Sequence, residues 1–273
     1  MIASGDGPDR RGEVRSVARA LDILSAFSSA HPRLTLSELA EAVGLPRPSV
    51  RRLAVTLIER GFLRQDPDGA YLLGVRLLEL GSQVSESSAI THRAGAAADE
   101  LSRVTGETVL IAEVDWDSLS LLIIGKRRPV QPPPAETSPV GRRYPLTSGC
   151  IGKAVLSGLT PEGAATVVPK LRLTPRTAAT IVDPARLAAD VAASRDRGYA
   201  IQSGEFLVGM AGAAVPVHVS GRVVGALAVL GTAQRYPSPA LHRTGRLVRS
   251  VLAQHRLAQH QLAQHQLAPH RPV

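Results

Sequence analysis

The stretch TLSELAEAVGLPRPSVRRLAVTLIER (residues 35–60) decides the fold, because two amphipathic helical patterns follow one another across a short break. Its first four residues, Thr35 to Glu38, form the pattern of a capping box, in which a threonine and a glutamate satisfy each other's backbone amides. Gly44 stands where a helix commonly ends in a left-handed residue. Pro46 suits the start of the next helix, where a missing N–H would have no partner. The stretch therefore predicts a helix, a tight turn and a second helix.

The sequence on both sides completes a winged helix-turn-helix. Apolar residues from Val14 to Phe27 recur at three- and four-residue spacing, which predicts a preceding helix. After the stretch, Gly61 ends the last helix. The sequence then predicts two strands, 62–65 and 70–73, which are joined by an Asp-Gly hairpin turn. We therefore expect a winged helix-turn-helix domain over residues 14–74, preceded by a flexible arm at 1–13.

The last of these helices is the predicted recognition helix. No acidic residue occurs between Glu41 and Glu59, so nothing in that stretch repels phosphates. Arginine can bond guanine O6 and N7 with two donors, and donors at the front of a recognition helix reach base edges. A solvated charged face is the alternative reading of such a helix, but the complete helix-turn-helix-wing succession favours DNA. The residues that we predict to contact DNA are Thr35, Ser37, Arg47, Ser49, Arg51, Arg52 and Arg64.

Composition narrows the class of protein without locating its sites. The net charge is +9, yet residues 1–80 hold 11 arginines against 10 acidic residues, so overall basicity does not mark the DNA-binding surface. The single cysteine, Cys150, excludes an internal disulfide and fits a reducing cytoplasm. No apolar run approaches the roughly 20 residues of a membrane helix, and no secretory signal is present. We expect a cytoplasmic protein with no membrane partner.

The rest of the chain predicts a linker helix and an α+β sensor domain. An Ala-, Leu- and Glu-rich pattern from Val75 to Val104 predicts one long helix, a linker and dimerisation element over 75–105. Strands and helices then mix over 106–252, with a basic, Pro-rich loop at 126–145. The tail at 253–273 repeats Ala-Gln-His-X-Leu every five residues. That spacing turns successive leucines and histidines away from each other, so we expect a frayed helical tail rather than a coiled coil or a metal site.

At this point the motifs resemble the isocitrate lyase regulator (IclR) family over about residues 14–252. The matching motifs are Ser16–Leu24, Leu36–Pro46, Ser49–Leu53, Gly61–Leu63, Ser148–Ala154, Arg197–Ala200, Ala214–Val217 and Gly225–Val229. The N-terminal motifs also resemble the aromatic-catabolism branch of the family. The resemblance implies a GAF-like effector domain, a homodimer or dimer of dimers, and control of nearby operons.

The resemblance also implies a metabolite site at the start of the Ser148–Lys153 helix and on the facing strands. The implied effector-binding residues are Ser148, Gly149, Cys150, Ile151, Gln202, Gly212, Ala228 and Leu230. Several depart from the family pattern: Gln202 replaces an acid, Gly212 a cysteine, and Ala228 and Leu230 replace serines. We therefore expect a roomier, less polar pocket, and an aromatic or hydrophobic effector or none, rather than a small carboxylate such as pyruvate or glyoxylate.

Together the motifs predict a ligand-responsive transcriptional repressor that binds pseudo-palindromic double-stranded operator DNA without a cofactor or metal. One alternative is a small-molecule enzyme or sensor with an accessory helical domain. Cys150 lacks a neighbouring base in sequence and a buried thiol is the commoner role, so we expect no catalytic residue. A winged helix that binds protein is the other alternative. We expect Lys153 to be solvated and His218 to be structural or a hydrogen-bond donor to the pocket.

Overall fold

A computed structural model describes residues 14–28, 30–127, 138–147 and 149–267, and of 259–267 only the backbone. The predicted arm and the end of the predicted tail lie outside these residues. The chain divides into two compact units, Met1–Ser85 and Glu86–Val273.

The first unit contains the predicted helix-turn-helix and wing. Its helices are α1 (Arg15–Ser25), α2 (Leu36–Val43) and α3 (Arg47–Glu59). Its antiparallel sheet has the order β1-β3-β2 and consists of β1 (Arg33–Leu34), β2 (Leu63–Gln65) and β3 (Tyr71–Leu73). The hairpin β2–β3 confirms the predicted wing. Strand β1 was not predicted, because two residues cannot display an alternating pattern.

Local sequence signals explain where the helices of this unit begin and end. The capping box at Thr35 and Glu38 is present, and Gly44 ends α2 with a left-handed φ of 64°. The apolar row of α3 faces a small core in which Ile23, Leu39 and Val50 are fully buried. Burying a side chain of this kind contributes about 1.5–3 kcal/mol relative to leaving it exposed. This core anchors the back of α3 and leaves its other side outward.

The prediction of a single helix from Val75 to Val104 is wrong. Two helices occupy the segment, α4 (Arg76–Ser87) and α5 (Ala89–Thr105), and Ser88 between them has extended backbone and caps α5 by accepting a hydrogen bond from the Thr91 amide. A serine hydroxyl competes with helical bonding and favours a helix start. None of the α4 side chains is buried, whereas α5 buries five residues in the second unit.

The second unit is built around one six-stranded antiparallel sheet with the order β6-β5-β4-β9-β8-β7. Its strands are β4 (Thr108–Asp115), β5 (Ser120–Arg127), β6 (Arg143–Pro145), β7 (Ala200–Ser203), β8 (Met210–Val219) and β9 (Arg222–Thr232). Its helices after α5 are α6 (Gly149–Ser157), α7 (Pro161–Val167), α8 (Pro184–Arg197) and α9 (Ser238–Leu267), with a 3₁₀ turn at Val168–Lys170.

Alternate residues of the strands point to two cores. On β4, Val109 and Ile111 pack with α5 and α9, whereas Leu110 and Ala112 pack with α6 and α8. The sheet therefore lies between two helical layers, which confirms the predicted α+β class. The effector-type cavity described below is on the α6 and α8 side.

Two boundaries of the second unit differ from the sequence prediction. The segment 126–145 is not wholly a loop, because Lys126 and Arg127 finish β5 and Arg143–Pro145 forms the edge strand β6. Residues 128–137 of that segment lie outside the described residues. At the other end, α9 crosses the predicted domain boundary at 252 and continues to Leu267, in agreement with the helical reading of the tail. No helix in the described ranges is both long enough and apolar enough to cross a membrane.

Candidate DNA and effector sites

The front of α3 presents basic side chains outward. Arg47, Arg51 and Arg52 are exposed, and Ser49 is half-buried beside them. Among the residues that the structure describes, no carboxylate forms an ion pair with any of these three guanidiniums. Their charges are therefore available to an external anion, and the buried apolar row behind them fixes the orientation of the helix.

At the start of α2, Ser37 is a better candidate for a phosphate contact than Thr35. The Thr35 hydroxyl donates to Glu38 Oε2 at 2.8 Å, and the Glu38 amide donates to Thr35 Oγ1 at 3.3 Å. Hydrogen bonds from the Thr35 amide and hydroxyl lower the pKa of Glu38, so its carboxylate is charged. Thr35 would have to give up part of this cap to contact a phosphate, whereas the exposed Ser37 would not. Both remain predicted contacts.

The wing carries an ion-pair network that the sequence analysis missed. Arg33 on β1 donates to Asp66 at 2.5 Å and to Asp68 at 2.9 Å, and this guanidinium lowers the pKa of Asp66. Arg33 balances one of the two negative charges of the turn, and within the described residues neither acid forms an ion pair with the exposed Arg64. No local pattern marks Arg33, since its partners lie more than 30 residues along the chain.

An apolar cavity lies between the start of α6 and the edge of the sheet. Its volume is about 40 Å³, and it is lined by Leu121, Ile123, Ser138, Tyr144, Gly149, Cys150, Ile151, Gln202, Phe206, Leu207, Met210 and Leu230. The rings of Tyr144 and Phe206 meet edge to face, with centroids 5.2 Å apart. Pockets with mostly apolar walls and few polar groups are typical small-molecule sites.

The structure brings five of the eight predicted effector residues to this cavity: Gly149, Cys150, Ile151, Gln202 and Leu230. Ser148 lies outside the described residues. Ala228 does not line the cavity, because it is fully buried in the core between the sheet and α6. Gly212 does not line it either, for a reason that involves Leu230.

Gln202, Gly212 and Leu230 stand side by side on three neighbouring strands. A side chain added to Gly212 would place its Cβ 2.4 Å from Leu230 Cδ2 and 2.5 Å from the Val229 carbonyl oxygen. Because Gly212 has no side chain, the side chain of Leu230 can lie over the backbone of Gly212 on the neighbouring strand. The space expected to make the pocket roomier is in part occupied by the leucine, although the walls are apolar as expected.

A buried charge cluster holds a loop that lines this cavity. Lys153 on α6 is only 2% exposed, and its Nζ lies 2.6 Å from Asp190 Oδ2 and 2.7 Å from Glu205 Oε1. The prediction that Lys153 is solvated is therefore wrong. Next to Glu205, Phe206 and Leu207 line the cavity, and the Glu205 amide donates to Gln202 Oε1 at 3.0 Å. The cluster links α6, α8 and the cavity wall.

Cys150 and His218 have no geometry for covalent chemistry. Complete burial raises the pKa of the Cys150 thiol to about 12, so the thiolate needed for nucleophilic attack does not form near neutral pH. His218 Nε2 donates to the Gly158 carbonyl oxygen at 3.1 Å, which ties β8 to the end of α6. Both residues therefore have structural roles in the part of the chain that is described.

Comparison with known proteins places both units in one family. Residues 16–67 match the IclR helix-turn-helix domain, and residues 82–255 match the bacterial transcriptional regulator IclR C-terminal domain. The chain is 31% identical to the HTH-type transcriptional regulator KipR of Bacillus subtilis over 228 residues, which cover 83% of this chain and 90% of KipR. It is 28% identical to the acetate operon repressor of Salmonella typhimurium over 239 residues, 87% of each chain.

A solved structure shares the same fold. The IclR homologue from Microbacterium hydrocarbonoxydans, in complex with 4-hydroxybenzoate, superposes with a TM-score of 0.75 over 89% of this chain and 99% of that one, at 22% identity. Because the C-terminal match alone spans more than half of the chain, and relatives such as KipR agree along most of their length, the protein belongs to the IclR family of DNA-binding transcriptional regulators, which are not enzymes.

Proposed function

We propose that the protein is a repressor that reads operator DNA through the front of α3 and releases it when a hydrophobic or aromatic compound occupies the cavity beside α6. The observation that carries the proposal is the set of exposed arginines on α3 that no described acid neutralises. Two donors of one guanidinium can bond guanine O6 and N7 in the major groove. Each good contact of this kind discriminates against the wrong base by about 1–3 kcal/mol. Because a regulator of this kind acts where its operator DNA lies, the proposed place of action is the cytoplasm.

Sequencing of the DNA that the protein protects from nuclease in its own genome tests this reading. We expect pseudo-palindromic sites with half-sites about one helical turn apart, or a multiple of that, close to the genes it controls. Binding to such a duplex should weaken steeply with salt, because phosphate contacts release counterions. Protection without a shared half-site, or binding insensitive to salt, would favour a winged helix that binds protein instead.

Two half-sites require two copies, and we propose that apolar surfaces of the first unit join them. At the N-cap of α1 and along the helix, Val14, Val17 and Leu21 recur at three- and four-residue spacing and are 56–60% exposed. On and beside α4, Val75 and Leu78 are 65% and 69% exposed, and α4 buries none of its own residues. An apolar helix face with no core of its own fits a homodimer contact, since monomers rarely expose contiguous apolar patches. A dimer of dimers remains a further prediction.

The effector belongs to the class of compounds with an apolar or aromatic body. The cavity walls are aliphatic and aromatic, and the side chain of its one amide, Gln202, already hydrogen-bonds to Glu205 and Met210. Arg176 lies 4.4 Å from the centre of the Phe206 ring, where a second cavity adjoins the first. An aromatic acid would place its ring in the apolar part and its carboxylate toward this cation. That the Microbacterium homologue holds 4-hydroxybenzoate supports this class.

A cavity-filling variant separates ligand sensing from DNA binding. Leu230→Trp should occupy the space between β9 and Phe206, so it should abolish the rise in melting temperature that a binding aromatic acid gives the wild type. It should still bind operator DNA, because the recognition helix lies in the other unit. Cys150→Ser serves as the control for a small change in the same wall and should retain the ligand response. A ligand response unchanged in Leu230→Trp would place the effector elsewhere.

A further inference from the structure

A cationic groove lies on the face of the second sheet opposite the effector cavity. It runs between α5, β8 and α9, and Arg93, Gly198, Arg249 and Arg256 are among the residues that line it. Arg93 comes from α5, and Arg249 and Arg256 come from α9, two turns apart on one side of the helix. The groove has a volume of about 170 Å³ and is open to solvent, so a small anion can enter it.

The charge of this groove is not balanced by the protein. No Asp or Glu lines it, and the sequence of α9 contains no acid from Ser238 to Leu267. An acid does occur on α5, two turns along from Arg93, but it has another partner: Glu100 Oε2 lies 2.7 Å from His255 Nε2. Within the described residues, Arg93, Arg249 and Arg256 form no ion pair. Three guanidiniums therefore line one groove that has no carboxylate among its lining residues.

One of the three is held in place by the backbone. Arg249 Nη1 donates to the Arg197 carbonyl oxygen at 2.7 Å, at the end of α8. Gly198 follows with a φ of +80°, and a Cβ there would lie 2.9 Å from Arg249 Nη1. The glycine thus leaves room for the guanidinium to lie against the turn. A pre-positioned arginine loses less conformational entropy when an anion arrives.

We propose that this groove is a second ligand site, distinct from the effector cavity, that binds a phosphate group. The planar fork of arginine matches a phosphate with paired charge-assisted hydrogen bonds. A multivalent oxyanion also neutralises three guanidiniums better than a single carboxylate does. The phosphate is carried either by a small molecule or by a nucleic-acid backbone. In either case it joins α5 to α9 and so stabilises the second unit.

Inorganic phosphate is the probe for the small-molecule source. The melting temperature of the full chain should rise with phosphate relative to chloride at equal ionic strength, because a ligand that binds only the folded state stabilises it. The double variant Arg93→Gln/Arg256→Gln should bind phosphate roughly tenfold or more weakly, since two charged donors are lost. The double variant Arg243→Gln/Arg246→Gln, with the same charge removed from exposed positions of α9 outside the groove, should respond as the wild type does.

A duplex that lacks the operator is the probe for the nucleic-acid source. If the backbone supplies the phosphate, Arg93→Gln/Arg256→Gln should reduce the slope of log affinity against log salt by about 1–2, and Arg243→Gln/Arg246→Gln should reduce it less. Loss of either response in the groove variant alone supports the site and identifies its source. The proposal is overturned if phosphate stabilises all three proteins equally, or not at all, while the salt slope is the same in all three.

Discussion

Glu205 is a carboxylate whose ionisation opposes folding, although Lys153 Nζ lies 2.7 Å away. Burial raises the pKa of Glu205 above its ordinary value of 4.5, and the lowering effect of Lys153 does not fully offset this. The folded protein thus holds the proton more tightly than the unfolded chain. The stabilising contribution of this group is complete below about pH 4.5 and is lost as the pH rises through the raised pKa. Glu205 belongs to the charge cluster with Lys153 and Asp190 that supports the wall of the effector cavity.

The pH dependence of a Glu205→Gln variant tests this account. The difference in melting temperature, variant minus wild type, should become more positive between pH 4.5 and 7.5, because only the wild type acquires the buried charge. Glu162→Gln is the opposite control. Hydrogen bonds from its own amide and the Thr160 hydroxyl lower the pKa of Glu162, so that difference should become more negative as the pH rises from about 3 to 6. Parallel curves for the two variants would contradict the assignment of the Glu205 shift to burial.

At the scale of elements, local signals were predictable and long-range packing was not. The capping box at Thr35 and the left-handed Gly44 depend on a few adjacent residues, and both are present as predicted. The break at Ser88 also has a local signal, because several serines precede it. The apolar pattern nevertheless continues through the break, although α4 buries none of its residues and α5 buries five. Whether Leu230 lies across Gly212 depends on strands β8 and β9 meeting in register, which no pattern within either strand determines.

The prediction for dimer assembly concerns the exposed apolar faces of helices α1 and α4. Leu21→Glu on α1 and Leu78→Glu on α4 should each weaken dimerisation, because they place a charge in a contact that excludes water. Sedimentation velocity should show a shift toward the 28.8 kDa monomer and a parallel loss of operator affinity. Val182→Glu, a 49% exposed valine of the second unit, is the control and should leave both unchanged. A dimer that survives both substitutions would place the interface on another surface.

At the scale of the whole molecule, charge and function are distributed unevenly. The helix-turn-helix is nearly neutral over residues 1–80, with 11 arginines and 10 acidic residues, yet within the described residues no acid pairs with the arginines at the front of α3. Most of the net charge of +9 belongs to the rest of the chain, where α9 carries four arginines and no acid. The order of motifs therefore predicted the family and both units, whereas the composition alone did not show where anions would bind.

Operator affinity of α3 variants is the most direct measurement of the central claim. Arg51→Ala and Arg52→Ala should each weaken binding to the native operator by about 1–3 kcal/mol, without changing the melting temperature, because both side chains are exposed. Arg60→Ala, at the far end of the same helix, should bind the operator as the wild type does. If the two front variants retain wild-type affinity, or if Arg60→Ala loses as much as they do, the front of α3 is not the surface that reads DNA.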